Sequence, residues 1–505
     1  MSFNSGFPVI RLLLIVLLPG ASAVRAQHVP SGGATNSDAL GGSSTEIFRS
    51  SHRISKPAGT RRRPTAARHP TLDADDYYDQ GEKFLDAKQY PQAIEAYKKA
   101  IRLNPNHADA YYRLGWIYNE QGKYELAVDS LNESLRSSAN DPDTLLELGY
   151  AEEHLKHYDQ AANTFRRASR LKPDSPTPFY WLGWISNEQG KFAEAEVALR
   201  TALRLKPDYA EAHNELGYAY RKLERYPQAI TEYRAAIRLK PDMGLAHLGL
   251  GDVYFYNTKQ YNEAIAAYRE GVRLKPESAT AFYNLAWCYN EGEQHAEAVK
   301  AANEAIRLKP NYPEAYAELG YALSVLAKKL PENSFEAKHT FGDAVAAYKE
   351  AIRLQPDLTA PYSGLGDLYR LNLHQYEEAI EAYKQYLRLK PENATVQYNL
   401  GWSYSELERY GEAIRPLSES VRLKPDDANA HRELGYAYLG LKQYTNAANS
   451  LKRAISLKPD QALPYYYLGI VYLDLGNRSA AVEQYKVLQR LDPERARKLY
   501  EQINK

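Results

Sequence analysis

Apolar and small residues recur along most of this chain in a unit of about 34 residues. In the copy from Ala210 to Met243, numbered from 1, one stripe falls near positions 4, 7, 8 and 11, which share one face of a helix. After a break near positions 15 to 18, a second stripe has Ala at 20, a large apolar residue at 24 and usually Ala at 27. Each unit therefore predicts two helices, and the second ends before Lys-Pro-Asp because Pro cannot extend it.

The unit is repeated twelve times. The copies begin at Ala74, Ala108, Pro142, Pro176, Ala210, Gly244, Ala279, Pro313, Thr359, Ala394, Ala428 and Ala462. The clearest copy has Leu216, Gly217, Tyr220, Ala229, Tyr233, Ala236 and Pro241. This spacing, L-G-x-x-Y…A-x-x-x-[FY]…A-x-x-x-x-P, resembles the tetratricopeptide repeat family. The resemblance implies an all-α fold, a right-handed superhelical α-solenoid of helix-turn-helix repeats. Because each repeat in such an array packs only on its neighbours, 505 residues need not divide into several globular domains.

The repeats are assigned to residues 74–495, with one long insertion near residues 326–343 in the eighth copy. Pro331 should end a lengthened first helix there, and Ser334 can cap the second helix. The insertion either contacts a partner or is a tolerated loop expansion. Residues 496–505 should form a C-terminal capping helix that covers the last repeat with a polar outer face.

The first 26 residues are predicted to be a secretory signal peptide. Arg11 precedes an apolar run followed by small residues, and cleavage after Ala23 or Ala26 fits them; the alternative is an uncleaved anchor. Residues 27–73 are rich in Ser, Gly and Pro, contain seven Lys and Arg against three acids, and should be disordered. The cluster Arg61-Arg62-Arg63 either touches an anionic surface or belongs to a solvated tail. We therefore expect an exported protein, periplasmic or extracellular, from a bacterial envelope.

A second stripe in each first helix joins positions 2, 5, 9 and 12, opposite the 4-7-8-11 face. The resemblance implies that this stripe lines a concave ligand groove. At position 9, Trp and Tyr alternate and acids interrupt them: Trp116, Tyr150, Trp184, Tyr218, Asp252, Trp287, Tyr321, Asp367, Trp402 and Tyr436. Each repeat with Trp at position 9 has Tyr at position 5: Tyr112, Tyr180, Tyr283 and Tyr398. We predict that these fourteen residues form the ligand groove.

Aromatic faces beside amides and acids suit two kinds of ligand. An extended peptide can lay Pro or cationic side chains on the rings, and a glycan can stack its sugar faces there. Alternatively, the rings pack mainly on adjacent helices. We expect a non-catalytic scaffold whose partner is a protein or an extended peptide. A role in polysaccharide binding or secretion is the alternative.

The sequence holds no recognisable catalytic or cofactor-binding motif. Phosphate-binding loops, hydrolase nucleophile motifs and zinc-ligand spacings are absent from it. Cys288, the only cysteine, occupies an apolar position of its repeat and is predicted to be a small core residue. We therefore predict no enzyme, no cofactor and no metal site. A net charge of +1 gives no reason to expect nucleic acid, and we expect no transmembrane helix after signal cleavage.

Overall fold

A computed structural model describes residues 72–332 and 334–504, in which 25 α-helices and no strands occur. The helices form twelve consecutive pairs and one final helix, so the fold is an all-α solenoid. The predicted signal peptide, and all but two residues of the predicted disordered segment, lie outside the described residues.

The first helices of the repeats carry odd numbers. They are α1 (Ala74–Asp86), α3 (Ala108–Glu120), α5 (Pro142–His154), α7 (Pro176–Glu188), α9 (Ala210–Lys222), α11 (Gly244–Asp252), α13 (Ala279–Glu291), α15 (Pro313–Lys328), α17 (Thr359–Leu368), α19 (Ala394–Glu406), α21 (Ala428–Gly440) and α23 (Ala462–Asp474).

The second helices carry even numbers, and α25 (Pro493–Ile503) follows the last of them. They are α2 (Tyr90–Leu103), α4 (Tyr124–Ser137), α6 (Tyr158–Leu171), α8 (Phe192–Leu205), α10 (Tyr226–Leu239), α12 (Tyr261–Leu274), α14 (His295–Leu308), α16 (Phe335–Leu354), α18 (Tyr376–Leu389), α20 (Tyr410–Leu423), α22 (Tyr444–Leu457) and α24 (Arg478–Leu491).

Small residues let the two helices of a pair approach closely. A Cβ added at Gly183 of α7 would lie 2.4 Å from Leu199 Cγ of α8, well inside van der Waals contact. Ala195 and Ala202 of α8 have no exposed surface. A larger side chain at these positions would push the helices apart, which explains the small residues at positions 8, 20 and 27.

Two repeats contain one extra residue, and the chain absorbs it inside the first helix. The segments Val253–Asn257 and Tyr369–Leu373 continue α11 and α17 with π-helical hydrogen bonds. A π-turn accommodates one additional residue within a helix without opening a loop. The insertion of the eighth repeat likewise lengthens its helices, and Ser334 Oγ accepts a hydrogen bond from the Ala337 amide at the start of α16, as predicted.

The described residues divide into two compact units. The first unit ends at Cys288 and the second begins at Tyr289, so the division falls within α13. Consecutive helices from α1 to α12 and from α14 to α25 contact one another, and so do several first helices of neighbouring repeats, such as α3 with α5 and α7 with α9. In the second unit, α25 buries Leu499 and Ile503 against the last pair of helices. It begins at Pro493, three residues before the predicted boundary, because Asp492 caps it by accepting from the Arg495 amide at 3.0 Å. Among the described helices, none combines the length and apolarity that a bilayer span requires.

Candidate binding groove

The predicted groove residues are more buried than a ligand-lining role alone requires. Tyr150, Trp184 and Tyr218 expose 3%, 7% and 8% of their surface. Tyr180 and Tyr283 at position 5 are also buried. The other predicted aromatic residues are half-buried: Tyr112, Trp116, Trp287, Tyr321, Tyr398, Trp402 and Tyr436. The stripe therefore presents parts of rings to solvent.

The rings at position 9 join successive repeats. At several junctions the aromatic residue that begins a second helix meets the position-9 ring of the next repeat edge-on, as Tyr158 meets Trp184 at 6.2 Å between centroids. The same contact joins Phe192 to Tyr218, Tyr376 to Trp402 and Tyr410 to Tyr436. Edge-to-face pairs of this kind stabilise the packing beyond the area they bury. The aromatic residue at the start of the second helix recurs in the sequence, but the sequence did not predict its contact with the position-9 ring of the next repeat.

Trp184 belongs to an aromatic cluster that includes Trp181, which is not one of the fourteen predicted groove residues. Trp181, only 1% exposed, lies 5.9 Å from Trp184 and stacks on Phe165 at 5.9 Å with an interplanar angle of 5°. Trp287 is similarly surrounded by Phe255, Tyr256 and Tyr283. These tryptophans contribute to the core of the first unit.

Trp402 and Trp116 have different surroundings. The Arg370 guanidinium lies 5.1 Å from the Trp402 ring centroid, a cation–π distance. Among the described residues, no aromatic or cationic group packs on the ring of half-buried Trp116. Trp116 is therefore the tryptophan of this set that is best placed to offer its ring to a ligand.

The acids at position 9 form hydrogen bonds and ion pairs with other residues of the chain. Asp252 accepts a hydrogen bond from the Tyr268 hydroxyl at 2.6 Å and pairs with Arg221 at 3.0 Å. Burial, together with the nearby carboxylate, raises the pKa of the Tyr268 hydroxyl well above its usual range, so this group remains a donor. Asp367 likewise accepts from the Tyr383 hydroxyl and pairs with Arg370. Glu82 of the first repeat accepts from the Tyr97 hydroxyl and pairs with Arg113. These acids fix the second helix of their own repeat.

A buried amide–carboxyl contact follows each of three repeats with Trp at position 9. The Nδ2 of an asparagine at position 12 donates to the carboxyl oxygen of a glutamate at position 6 of the next repeat. The pairs are Asn119–Glu147 at 2.9 Å, Asn187–Glu215 at 3.0 Å and Asn290–Glu318 at 2.8 Å. Burial raises the pKa of Glu147 to about 8 and that of Glu215 to about 7. The sequence analysis expected amides and acids beside the rings but did not predict these buried asparagine–glutamate pairs.

A polar cavity of about 200 Å³ lies beside α7, α9 and α11, at positions 2 and 5 of the predicted groove stripe. We call it the Asn214 cavity, and its polar lining residues are Tyr180, Glu211, Asn214, Glu215, Lys240, Asp242 and Lys275. Tyr180 alone among them was a predicted groove residue. Glu211, Asn214 and Glu215 lie at positions whose side chains vary from repeat to repeat, so the periodic pattern did not mark them. Lys240, Asp242 and Lys275 belong to the recurring Lys-Pro-Asp or Lys-Pro-Glu stops, which the pattern marked only as helix ends.

The Asn214 cavity offers both charges and a buried acceptor. Asn214 Nδ2 donates to Glu215 Oε1 at 3.2 Å, whereas Asn214 Oδ1 is buried and has no hydrogen-bond partner among the described residues. Lys240 pairs with Glu211 at 3.5 Å on the rim. An unpartnered buried acceptor is costly, so a ligand that brings an N–H or O–H group to it would be stabilised. No group of His, Cys, Asp or Glu in the described ranges is arranged to hold a metal ion.

Comparisons with known proteins agree with the repeat architecture. A sequence profile of the tetratricopeptide repeat family matches residues 78–142, 146–210, 188–244, 214–270, 248–313, 333–394 and 368–428. A second profile, described as TPR repeat, matches residues 440–476. A comparison with curated proteins gives no match.

Several solved structures are similar over part of the chain. PilF of Pseudomonas aeruginosa is 21% identical, with 41% of this chain and 94% of that chain covered and a TM-score of 0.38. MamA is 26% identical, with 33% and 99% covered and a TM-score of 0.30. YrrB, titled a TPR protein with an unusual peptide-binding site, is 21% identical, with 40% and 100% covered and a TM-score of 0.33. With TM-scores below 0.5, these likenesses carry no argument, whereas the two family profiles cover well over half of the residues. The chain belongs to the tetratricopeptide repeat family.

Proposed function

We propose that the chain is a non-catalytic scaffold that binds an extended segment of a partner protein along positions 2, 5, 9 and 12 of its first helices. Membership of the tetratricopeptide repeat family is consistent with protein–protein interaction. The observation that carries the proposal is the Asn214 cavity, where a buried, unpartnered carbonyl oxygen lies between charged side chains on the predicted stripe.

The chemistry of the cavity favours a peptide. Peptide backbones present N–H donors to an acceptor such as Asn214 Oδ1, and acidic side chains can approach Lys240 and Lys275. The rings of Trp184 and Tyr218 are buried and already in contact with other aromatic residues. A polysaccharide is the second candidate ligand, and the half-buried ring of Trp116 supports it.

Site-specific photo-crosslinking tests the peptide-binding proposal. A photoreactive phenylalanine analogue in place of Leu245, which lines the cavity, should crosslink a protein partner in native extract. The same analogue in place of Val197, which is 69% exposed on α8, is the matched control. The yield of crosslinked product from the analogue at position 245 should fall about tenfold when Asn214→Ala is added, because the ligand loses a buried hydrogen bond. Equal products from both positions, or a product insensitive to Asn214→Ala, would refute the proposal.

We also propose that the scaffold acts outside the cytoplasm, in a bacterial envelope. The support is the amino-acid sequence of the first 26 residues. The mature protein purified from its native cells should begin at Val24 or Gln27, as measured by intact-protein mass and N-terminal sequencing. Recovery of the unprocessed chain from the soluble cytoplasmic fraction would contradict this location.

A further inference from the structure

The carboxyl group of Glu215 lies between two asparagine side chains. Its Oε2 accepts a hydrogen bond from Asn187 Nδ2 of α7 at 3.0 Å, and its Oε1 accepts one from Asn214 Nδ2 at 3.2 Å. Glu215 is only 2% exposed, and the Oδ1 atoms of both asparagines are buried without a hydrogen-bond partner among the described residues. The carboxyl group therefore orients both amides, with the donor of each turned towards it and the acceptor turned away.

The other two buried asparagine–glutamate contacts lack the second amide. The residue before the glutamate is Leu146 in the third repeat and Ala317 in the eighth, where the fifth repeat has Asn214. As a consequence, Glu147 Oε1 is buried and has no hydrogen-bond partner within the part of the chain that the structure describes. Of these three contacts, only the one in the fifth repeat joins a carboxyl group to an amide that lines the Asn214 cavity.

Glu215 gains or loses its proton in the neutral pH range. Burial raises the pKa of Glu215 to about 7, the Glu188 carboxylate adds to this rise, and the hydrogen bonds from Asn187 and Asn214 oppose it. The side chain is therefore neutral below this pH and a carboxylate above it.

Other titratable and charged groups lie around Glu215 on several elements. They are Tyr180 and Glu188 of α7, Glu211 and Tyr218 of α9, Tyr233 of α10, and Lys240, Asp242 and Lys275 in the segments after α10 and α12. His213 also belongs to α9, but its ring contacts Glu232 and the Pro207 carbonyl. A pH effect at Asn214 must therefore be assigned with a variant of Glu215 itself.

A proton on Glu215 changes which atom of Asn214 can face the cavity. A protonated Oε1 is a donor, and Asn214 Oδ1 becomes its acceptor when the amide turns by about 180° about its last torsion, which is soft. Asn214 Nδ2 then takes the place of Oδ1 beside the cavity. Asn187 is held in its orientation because its Nδ2 also donates to the Glu215 main-chain carbonyl at 3.0 Å, and a turn would place two acceptors against each other.

We propose that Glu215 sets the binding specificity of the Asn214 cavity through a proton-dependent reversal of the Asn214 side-chain amide. When Glu215 is ionised, the cavity presents Asn214 Oδ1, which accepts an N–H group of the partner segment. When Glu215 is protonated, the cavity presents Nδ2, which cannot accept, and the partner is released. The effect on the partner rests on the function proposed for this cavity, whereas the reversal itself does not. Glu215 is a positioning residue because it acts through Asn214.

NMR spectroscopy of the full chain without a partner tests the reversal. Asparagine is labelled with nitrogen-15 in a deuterated chain, and the Asn214 side-chain signal is identified by its loss in Asn214→Ala. In the wild type this signal should move in one step centred near pH 7. In Glu215→Gln it should stay at the low-pH position of the wild type, because the glutamine Nε2 donates to Asn214 Oδ1 while its Oε1 still accepts from Asn187. Glu147→Gln, the same change beside Leu146, should leave the titration unchanged.

Three results of the NMR experiment would overturn the reversal. A wild-type signal that does not move between about pH 5 and pH 9 would show that the amide does not respond to the proton on Glu215. A Glu215→Gln signal at the high-pH position of the wild type would show that the amide does not turn. A step that persists in Glu215→Gln would assign the titration to another group, such as His213.

Photo-crosslinking from position 245 tests the effect on binding separately. The yield of crosslinked partner from the wild type should fall about tenfold when the pH is lowered from about 8 to about 6, and Glu215→Gln should give a low yield at both values. Equal wild-type yields at both values would refute control of binding by Glu215, even if the NMR step is present. A complete lack of crosslinked partner at either pH would instead contradict the proposed function, and the NMR result would still decide the reversal.

Discussion

Replacing Arg113 with alanine should destabilise the first two repeats by about 3–5 kcal/mol. Arg113 is only 1% exposed and pairs with Glu82, whose carboxylate also accepts from the Tyr97 hydroxyl at 2.6 Å. The substitution leaves this partly buried carboxylate without its cation, and desolvation makes such an unpaired charge costly. Native-state hydrogen exchange of amides in α1 to α4 should detect the loss as faster exchange confined to these helices.

Two further variants distinguish the effect of the lost ion pair from the effect of removing side-chain atoms. Arg136→Ala removes an exposed arginine that pairs with Glu133 on α4, and it should change stability by less than about 1 kcal/mol. The double variant Arg113→Met with Glu82→Leu removes both charges and should recover much of the loss. A double variant that is as unstable as Arg113→Ala would show that packing, and not the unpaired charge, dominates at this position.

The stability of the second and third repeats should fall as the pH rises towards 8. Glu147 is fully buried, and burial raises its pKa from the ordinary value of 4.5 to about 8. Between these two values the folded chain keeps a proton that the unfolded chain releases, so each increase in pH favours unfolding. The contribution is complete below pH 4.5 and is lost as the pH rises through about 8.

Glu147→Gln should remove this pH dependence. Gln cannot ionise, and its carbonyl oxygen can still accept from Asn119 Nδ2. Well above pH 8 the variant should be more stable than the wild type, by an amount on the order of 5 kcal/mol. Hydrogen exchange of α3 to α6 as a function of pH measures the effect, with Glu125→Gln on the exposed face of α4 as the control. Parallel pH profiles for Glu147→Gln and the wild type would rule out the buried, protonated state.

The helix pairs could be predicted from the sequence because their causes are local. The Lys-Pro-Asp stops, the capping Ser334 and the small residues at close approaches all act within one repeat. Cys288 is buried in the core, as its apolar position predicted. Such features depend on helical periodicity and on nearby residues, which a single repeat shows in full.

The roles of the position-9 residues were harder to predict because they depend on contacts between repeats. Whether Trp184 offers its ring to a ligand or to Tyr158 is decided by how one pair of helices is rotated against the next. The asparagine–glutamate contacts likewise join residues 28 positions apart, as in Asn119 and Glu147. A sequence pattern places such residues on a face, but packing decides what occupies that face.

The most direct measurement is the affinity of the crosslinked partner for the full chain, determined by isothermal titration calorimetry. The partner should bind the wild type and the Lys309→Ala control equally, because Lys309 holds the position of Lys240 in the seventh repeat and does not line the Asn214 cavity. Asn214→Ala should weaken binding about tenfold, and Lys240→Ala should also weaken it. Unchanged affinity in both cavity variants would contradict the account.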